Sequence, residues 1–207
     1  MSMGGTASYE TTDIEIPPLV RTAVDAAIER GFQLCCRPEI GRLIAVLAAG
    51  VPAGGRIGET GTGTGAGVAW MLTQCRPDVE IISVEIDPGR TECARSILAD
   101  HPNVRIENTS SARIGEYGPF DLLILDGGPG SGKGDNPAAE PSQLLVPGGI
   151  LTVDDFTPMT EWPPMYDDEL DTARLLWLTH AELHTTEIRV AEDLAVLVGR
   201  RIHPAGE

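Results

Sequence analysis

The chain has 207 residues, 42% hydrophobic and 22% charged, which is enough for one domain with a real core and excludes fibrous and disordered classes. Its net charge of -16 opposes the phosphate neutralisation a polyanion needs, so nucleic acid is an unexpected partner. No apolar run approaches the roughly 18 residues of a membrane span, and residues 1–15 do not resemble a secretory signal, so a cytoplasmic protein with no membrane partner is expected.

Residues 1–13 read as a flexible N-terminal tail and 14–207 as a single domain. Helices are predicted over 17–31 and 38–50, each with proline near its start, helical apolar spacing and glycine at its end. From Arg56 onward, strand candidates at 55–60, 80–85, 104–108, 120–126 and 149–154 alternate with helical segments, as βαβ units on a parallel sheet do. A helix follows over 168–180, with Asp167, Asp168, Glu169 and Asp171 at its N-terminus, where negative charge is favourable. Two β-rich runs, 183–190 and 194–201, are split by Ala191-Glu192-Asp193 and predict an antiparallel hairpin at the sheet edge. The expected fold class is α/β: a Rossmann-like, seven-stranded, mostly parallel sheet with a C-terminal antiparallel hairpin and helices on both faces. Cys35, Cys36, Cys75 and Cys93 have no zinc-type spacing and read as reduced thiols.

The stretch Glu59-Thr60-Gly61-Thr62-Gly63-Thr64-Gly65 lies between a strand and a helical run. Its glycines let the backbone approach a ligand closely, and the following helix start offers N–H groups to an anion, so a nucleotide-like cofactor is expected. Twenty-four residues after Gly61, Ile81-Ile82-Ser83-Val84-Glu85 ends its strand in a carboxylate placed to accept two hydrogen bonds from a ribose diol. Both NAD and S-adenosylmethionine carry that ribose.

Further along stand Phe120-Asp121-Leu122-Leu123-Ile124-Leu125-Asp126 and Leu145-Val146-Pro147-Gly148-Gly149-Ile150-Leu151-Thr152-Val153-Asp154-Asp155. With these in order after the glycine loop and Glu85, the chain resembles the class I S-adenosylmethionine-dependent methyltransferases over roughly residues 37–201. The segment Arg37-Pro38-Glu39-Ile40-Gly41 is similar to the catechol O-methyltransferase-like branch, which acts on small molecules. The resemblance implies O-methylation of a small-molecule hydroxyl, with a homodimer as a further implied partner. It places Cys36 and the loop glycines Gly61, Gly63 and Gly65 near the methionine end of the cofactor, Glu85 at its ribose and Ser110 and Ser111 against the adenine, and it counts Glu59, Thr62 and Ile86 among the other cofactor-binding residues. Asp126 is the residue implied in both cofactor binding and catalysis.

The branch binds a divalent cation through an Asp after its fourth strand and an Asp-Asn pair after its fifth, and Asp126, Asp154 and Asp155 stand at those places. Three carboxylates at the ends of adjacent parallel strands would converge and raise one another's pKa unless a cation neutralised them, and oxygen-only ligation suits Mg²⁺, Ca²⁺ or Mn²⁺. Two positions depart from the branch. Pro129 replaces its candidate catalytic lysine, and Asp155 replaces the Asn, so the general base is unassigned. Lys133, in the glycine-rich loop 127–135, reads as a solvated lysine, with a reach back toward the site as the alternative. Gly127 with Gly132-Lys133 falls short of a P-loop, because Gly134 replaces the hydroxyl residue and Pro137 and Pro141 hinder the helix. The segment 156–166, aromatic, sulfur-containing and proline-stiffened, is a candidate wall for an apolar acceptor pocket. Two other readings stay open: an NAD(P)-dependent oxidoreductase, for which no Tyr-x-x-x-Lys pair is present, and a non-catalytic S-adenosylmethionine-binding module, which Pro129 and Ala66-Gly67 favour.

Overall fold

A computed structural model describes residues 4–126, 128, 130–134 and 136–203. Gly127, Pro129 and Asp135, on which part of the loop reading falls, lie outside the described residues. Two leading helices, α2 (Pro18–Glu29) and α3 (Pro38–Ala49), each begin on a proline, whose fixed φ suits a first helical position and whose missing N–H costs nothing there. They follow a four-residue helix, α1 (Ser8–Thr11).

The strands are β1 (Arg56–Thr60), β2 (Glu80–Glu85), β3 (Val104–Asn108), β4 (Phe120–Leu125) and β5 (Leu145–Phe156). Between them run α4 (Ala66–Leu72), α5 (Pro88–Ile97), a 3-10 helix (Ser111–Tyr117) and α6 (Pro141–Leu144). After β5 come a small hairpin of β6 (Met165–Tyr166) and β7 (Glu169–Leu170), then α7 (Thr172–Leu178), β8 (Leu183–Arg189) and β9 (Ala195–Arg201). The seven-stranded sheet has the order β3-β2-β1-β4-β5-β9-β8. Its first five strands are parallel, and β9 joins β5 antiparallel with β8 on the edge. This is the expected Rossmann-like sheet with its C-terminal hairpin.

The strands are apolar on both sides because helices cover both faces. Ile57, Ile81, Leu122 and Ile124 pack with Val24, Ile44, Ala48 and Val68 from α2, α3 and α4. Their alternate neighbours Ile82, Leu123, Leu125, Leu151 and Val153 pack with Ile114, Leu144 and Trp177 on the other face. The β1–β4 crossover, where the strand order reverses, therefore opens its carboxyl end between two packed layers, where ligands bind in such sheets.

Two expectations need correction. Asp167 and Asp168 do not open a helix. They form the turn of the β6–β7 hairpin, with φ of 51° and 62°, between the pairs Met165–Leu170 and Tyr166–Glu169. A two-residue turn with both central φ positive suits the strand twist, and Asp tolerates that region better than most residues. Only Asp171 caps the helix, its side chain accepting from Arg174 N at 2.9 Å, so α7 starts at Thr172. The second correction concerns the tail: Tyr9 is buried, its hydroxyl donating to the Cys36 carbonyl at 2.9 Å and accepting from Trp70 Nε1 at 2.9 Å. Thr6 adds a bond to the Phe32 carbonyl at 2.9 Å. A phenol with two partners in the core outweighs the polarity that made this segment look mobile.

Tyr9→Phe leaves the Trp70 N–H and the Cys36 carbonyl unpaired. It is expected to cost about 1–3 kcal/mol in urea unfolding, and an unchanged midpoint would contradict the docking of residues 8–11.

Candidate active site

The loop after β1 is shaped by close approaches. Gly61 (φ 84°) has the Asp126 carbonyl oxygen 2.7 Å from where a Cβ would sit, so only glycine fits between the ends of β1 and β4. Gly67, at the start of α4, has the same distance reduced to 2.1 Å, against Glu59 Oε1, so the Glu59 carboxyl lies on the helix backbone. The Ser83 hydroxyl donates to Glu59 Oε2 at 2.5 Å, and Ser83 in turn meets Thr62 Oγ1 at 2.6 Å. Burial pushes the Glu59 carboxyl from 4.5 up to about 8, with Asp126 and Glu85 adding to the rise against the Ser83 bond.

Glu85 ends β2 buried, but its oxygens are well supplied. Oε2 accepts from Gly63 N at 2.9 Å, and Oε1 accepts from Asp87 N at 2.8 Å and Arg90 Nη2 at 2.9 Å. The Arg90 guanidinium also lies 5.0 Å from the centre of the Phe32 ring. A small enclosed pocket of about 10 Å³ joins Cys36, Glu59, Gly61, Thr62, Gly63 and Asp126 with Phe32, Leu34, Cys35, Thr64, Ala66 and Gly67.

At the ends of β4 and β5 stand Asp126, Asp154 and Asp155, whose carboxylate oxygens lie within 4.8 Å of one another. Neighbouring side chains of a regular strand point to opposite faces. Here the β5–β9 register shifts between Val153 and Phe156, and Asp155 takes φ 60°. This local break lets two successive residues of β5 converge on Asp126. Asp126 and Asp154 are buried, and among the described residues Asp154 Oδ2 has no hydrogen-bond partner. Burial raises the pKa of both, Asp154 well above the usual carboxylate range, and the other two carboxylates push Asp154 further.

A second, larger cavity of about 680 Å³ opens on the far side of Asp155. Phe156, Thr157, Tyr166, Leu170, Ala173 and Leu194 supply much of its wall, with Arg37, Lys133 and Arg174 as its cations. Of the proline-stiffened segment, Phe156, Thr157 and Tyr166 line the cavity, while Trp162 is exposed on the surface. Arg174 is wholly buried, paired with Asp171 and Glu187 at 3.0 Å each and donating to the Thr157 carbonyl at 2.7 Å. Lys133 is not the solvated residue its glycine-rich loop implied. Its Nζ donates to the carbonyls of Asp154 and Asp155, the latter at 3.0 Å, and sits 3.9 Å from the centre of the Phe156 ring. Burial lowers its pKa, while Asp154, Asp155, Asp171 and Asp126 hold it up.

Of the candidate cofactor residues, Cys36, Glu59, Gly61, Thr62, Gly63 and Asp126 share the small pocket, and Glu85 is one hydrogen bond from it. The others stand outside that pocket. Gly65 (φ 96°) is the N-cap of α4 and packs on Leu98 and Ala94. Ile86 is 70% exposed. Ser110 accepts from Ala112 N at 3.3 Å, capping the 3-10 helix that Ser111 begins. Phe32 and Arg90 were not legible as site residues; an aromatic just past the Gly31 helix end is the one available sign of the first.

No family model matches the chain. It is 29% identical over 126 residues to a probable O-methyltransferase of Mycobacterium tuberculosis, covering 56% of this chain and 54% of that one. A Mycobacteroides abscessus protein similarly named as an O-methyltransferase is 28% identical over 143 residues, 63% of this chain and 64% of its own length. The chain thus spans between about half and two thirds of these curated relatives. Among solved structures, it superposes with TM-score 0.70 and 18% identity on a methyltransferase from Geobacter sulfurreducens, covering 95% and 96% of the two chains. The O-methyltransferase TomG of Streptomyces achromogenes, solved with S-adenosylmethionine, gives 0.68 and 19% over 96% of each. The chain therefore shares the fold of these methyltransferase structures.

Glu59 holds a proton in the folded chain that it releases on unfolding between its ordinary pKa and its raised one. The stability this contributes is complete below about pH 4.5 and is lost as pH rises through about 8. The urea midpoint of the ligand-free protein is expected to fall over that window, and Glu59→Gln to flatten the fall; an identical slope in the variant would contradict the buried, protonated carboxyl.

Proposed function

We propose that the chain transfers a methyl group from S-adenosylmethionine to a hydroxyl oxygen of a small molecule. One observation carries this reading: Asp126 lines the glycine-loop pocket, Asp155 lines the large cavity, and their carboxylates meet through Asp154 within 4.8 Å. A donor on one side and an acceptor on the other would face each other across these three residues. The names of the relatives support the same chemistry.

In this reading Cys36, Glu59, Gly61, Thr62 and Gly63 hold the methionine end of the donor, with Gly65 setting the loop that carries them. Glu85 accepts from the ribose, which requires Arg90 to give up part of its bond to that carboxylate. Ile86 offers an exposed apolar surface to the adenine, and Ser110 and Ser111 close its edge. The acceptor occupies the cavity floored by Phe156, and its size accommodates a ring-sized molecule with room for substituents.

The triad also fits a divalent cation. All its donors are carboxylate oxygens, two of the residues are buried, and Asp154 Oδ2 lacks a partner among the described residues, an arrangement that Mg²⁺, Ca²⁺ or Mn²⁺ would satisfy. When bound, such an ion neutralises the carboxylates and lowers the pKa of an acceptor hydroxyl, while S-adenosylmethionine supplies an electrophilic methyl sulfonium. In this reading the protein's part is to hold donor and acceptor in line and to exclude water at the ends of β1, β4 and β5. Asp126, touching both the pocket and the triad, fixes the relation between the two reactants.

With labelled S-adenosylmethionine and a panel of mono- and dihydroxyphenols, label is expected in a methyl ether. Asp126→Asn and Asp154→Asn should each lower turnover by roughly 100-fold or more. Turnover and chelator sensitivity unchanged in Asp154→Asn would remove the triad from the reaction. Binding of the donor without transfer to any acceptor would favour the non-catalytic module.

A further inference from the structure

Lys133 is the sole lysine of the sequence, against fourteen arginines, and the chain goes to some length to place it. Gly130, Gly132 and Gly134 all take positive φ, giving the loop a path that side-chain-bearing residues rarely follow. The loop is pinned where it passes the core: Ser131 is buried, and its carbonyl accepts from Trp177 Nε1 at 2.6 Å. Asn136 Nδ2 donates to the Lys133 carbonyl at 3.1 Å. The ammonium thus arrives at the broken end of β5, on the carbonyls of two triad residues and over the Phe156 ring.

The other cations of that cavity are already matched to carboxylates. Arg37 pairs with Asp193 at 2.8 Å and Glu39 at 3.2 Å, and Arg174 with Asp171 and Glu187. Lys133 instead spends its hydrogen bonds on peptide oxygens, so its charge acts on the triad through space. A divalent ion held by the three carboxylates would have to come to rest beside this fixed positive charge.

We propose that Lys133 is a built-in counter-ion of the Asp126–Asp154–Asp155 cluster and that its charge weakens the affinity of this chain for a divalent cation. The proposal rests on the reading of the triad as a cation site given above. Lys133 acts here as a positioning residue with a fixed charge.

The test is direct titration with Mn²⁺, followed by the loss of the free-ion electron paramagnetic resonance signal, with S-adenosylhomocysteine binding measured on each protein by thermal shift. Lys133→Met removes the charge at similar length and is expected to tighten Mn²⁺ binding roughly tenfold or more, the scale set by one unit charge near a divalent ion even in a water-like dielectric. Lys133→Arg keeps the charge and should bind as the wild type does. Asp154→Asn added to Lys133→Met should abolish the gain, locating the ion at the triad. Lys133→Gln carries the same expectation should the methionine variant fail to fold. Equal affinity in wild type and Lys133→Met, weaker binding in the variant, or no binding to either would overturn the proposal while leaving methyl transfer standing. A wild type that does not bind S-adenosylhomocysteine would overturn the functional reading, and this proposal with it.

Discussion

Glu59, Glu85, Asp126 and Asp154 are all buried at the carboxyl ends of parallel strands, and removing carboxylates from water is costly unless each finds a partner or a proton. The chain answers this constraint differently at each position. Glu85 is held by two backbone N–H groups and Arg90. Glu59 takes the Ser83 hydroxyl and a raised pKa. Asp126 and Asp154 share their neighbourhood with Asp155 and the Lys133 ammonium.

Much of the local geometry follows from accommodating these groups. Glycine at 61 and 67 makes room for the Asp126 backbone and the Glu59 carboxyl. The positive φ of Asp155 and the register shift in β5 turn two adjacent acids toward one point, a strain of the kind that persists where surrounding structure over-determines it. Apolar strands covered on both faces make the sheet rigid enough to hold like charges together. Asp126 and Asp155 then each line a recess, the glycine-loop pocket and the larger cavity.

The sheet was legible because its signals are local and repeated. Strand-ending carboxylates, β-rich runs and the glycine loop each follow from short-range pattern, and the boundaries of β1 to β4 fall within a residue of those expected. The site was legible only in part. Glu59, Glu85, Asp126, Asp154 and Asp155 announce themselves as acids at strand ends, whereas the Phe32–Arg90 contact joins residues from different elements and leaves no pattern in either. Asp167 and Asp168 are ambiguous in sequence because acids favour both helix starts and left-handed turns, and only the pairing of Met165 with Leu170 decides between them. Tyr9 and Lys133 leave no local signal for one reason: their segments look polar and glycine-rich, while a single side chain from each is drawn inward by partners far away in sequence.

The account stands on the claim that the glycine-loop pocket and Glu85 hold an S-adenosyl compound. Calorimetric titration of the wild type and Glu85→Ala with S-adenosylhomocysteine, and of the wild type with NADH, tests it most directly. The account predicts saturable binding of S-adenosylhomocysteine to the wild type, at least roughly tenfold weaker in Glu85→Ala from the loss of a charge-assisted hydrogen bond, and no binding of NADH. Binding of NADH alone, or of neither compound, would contradict it.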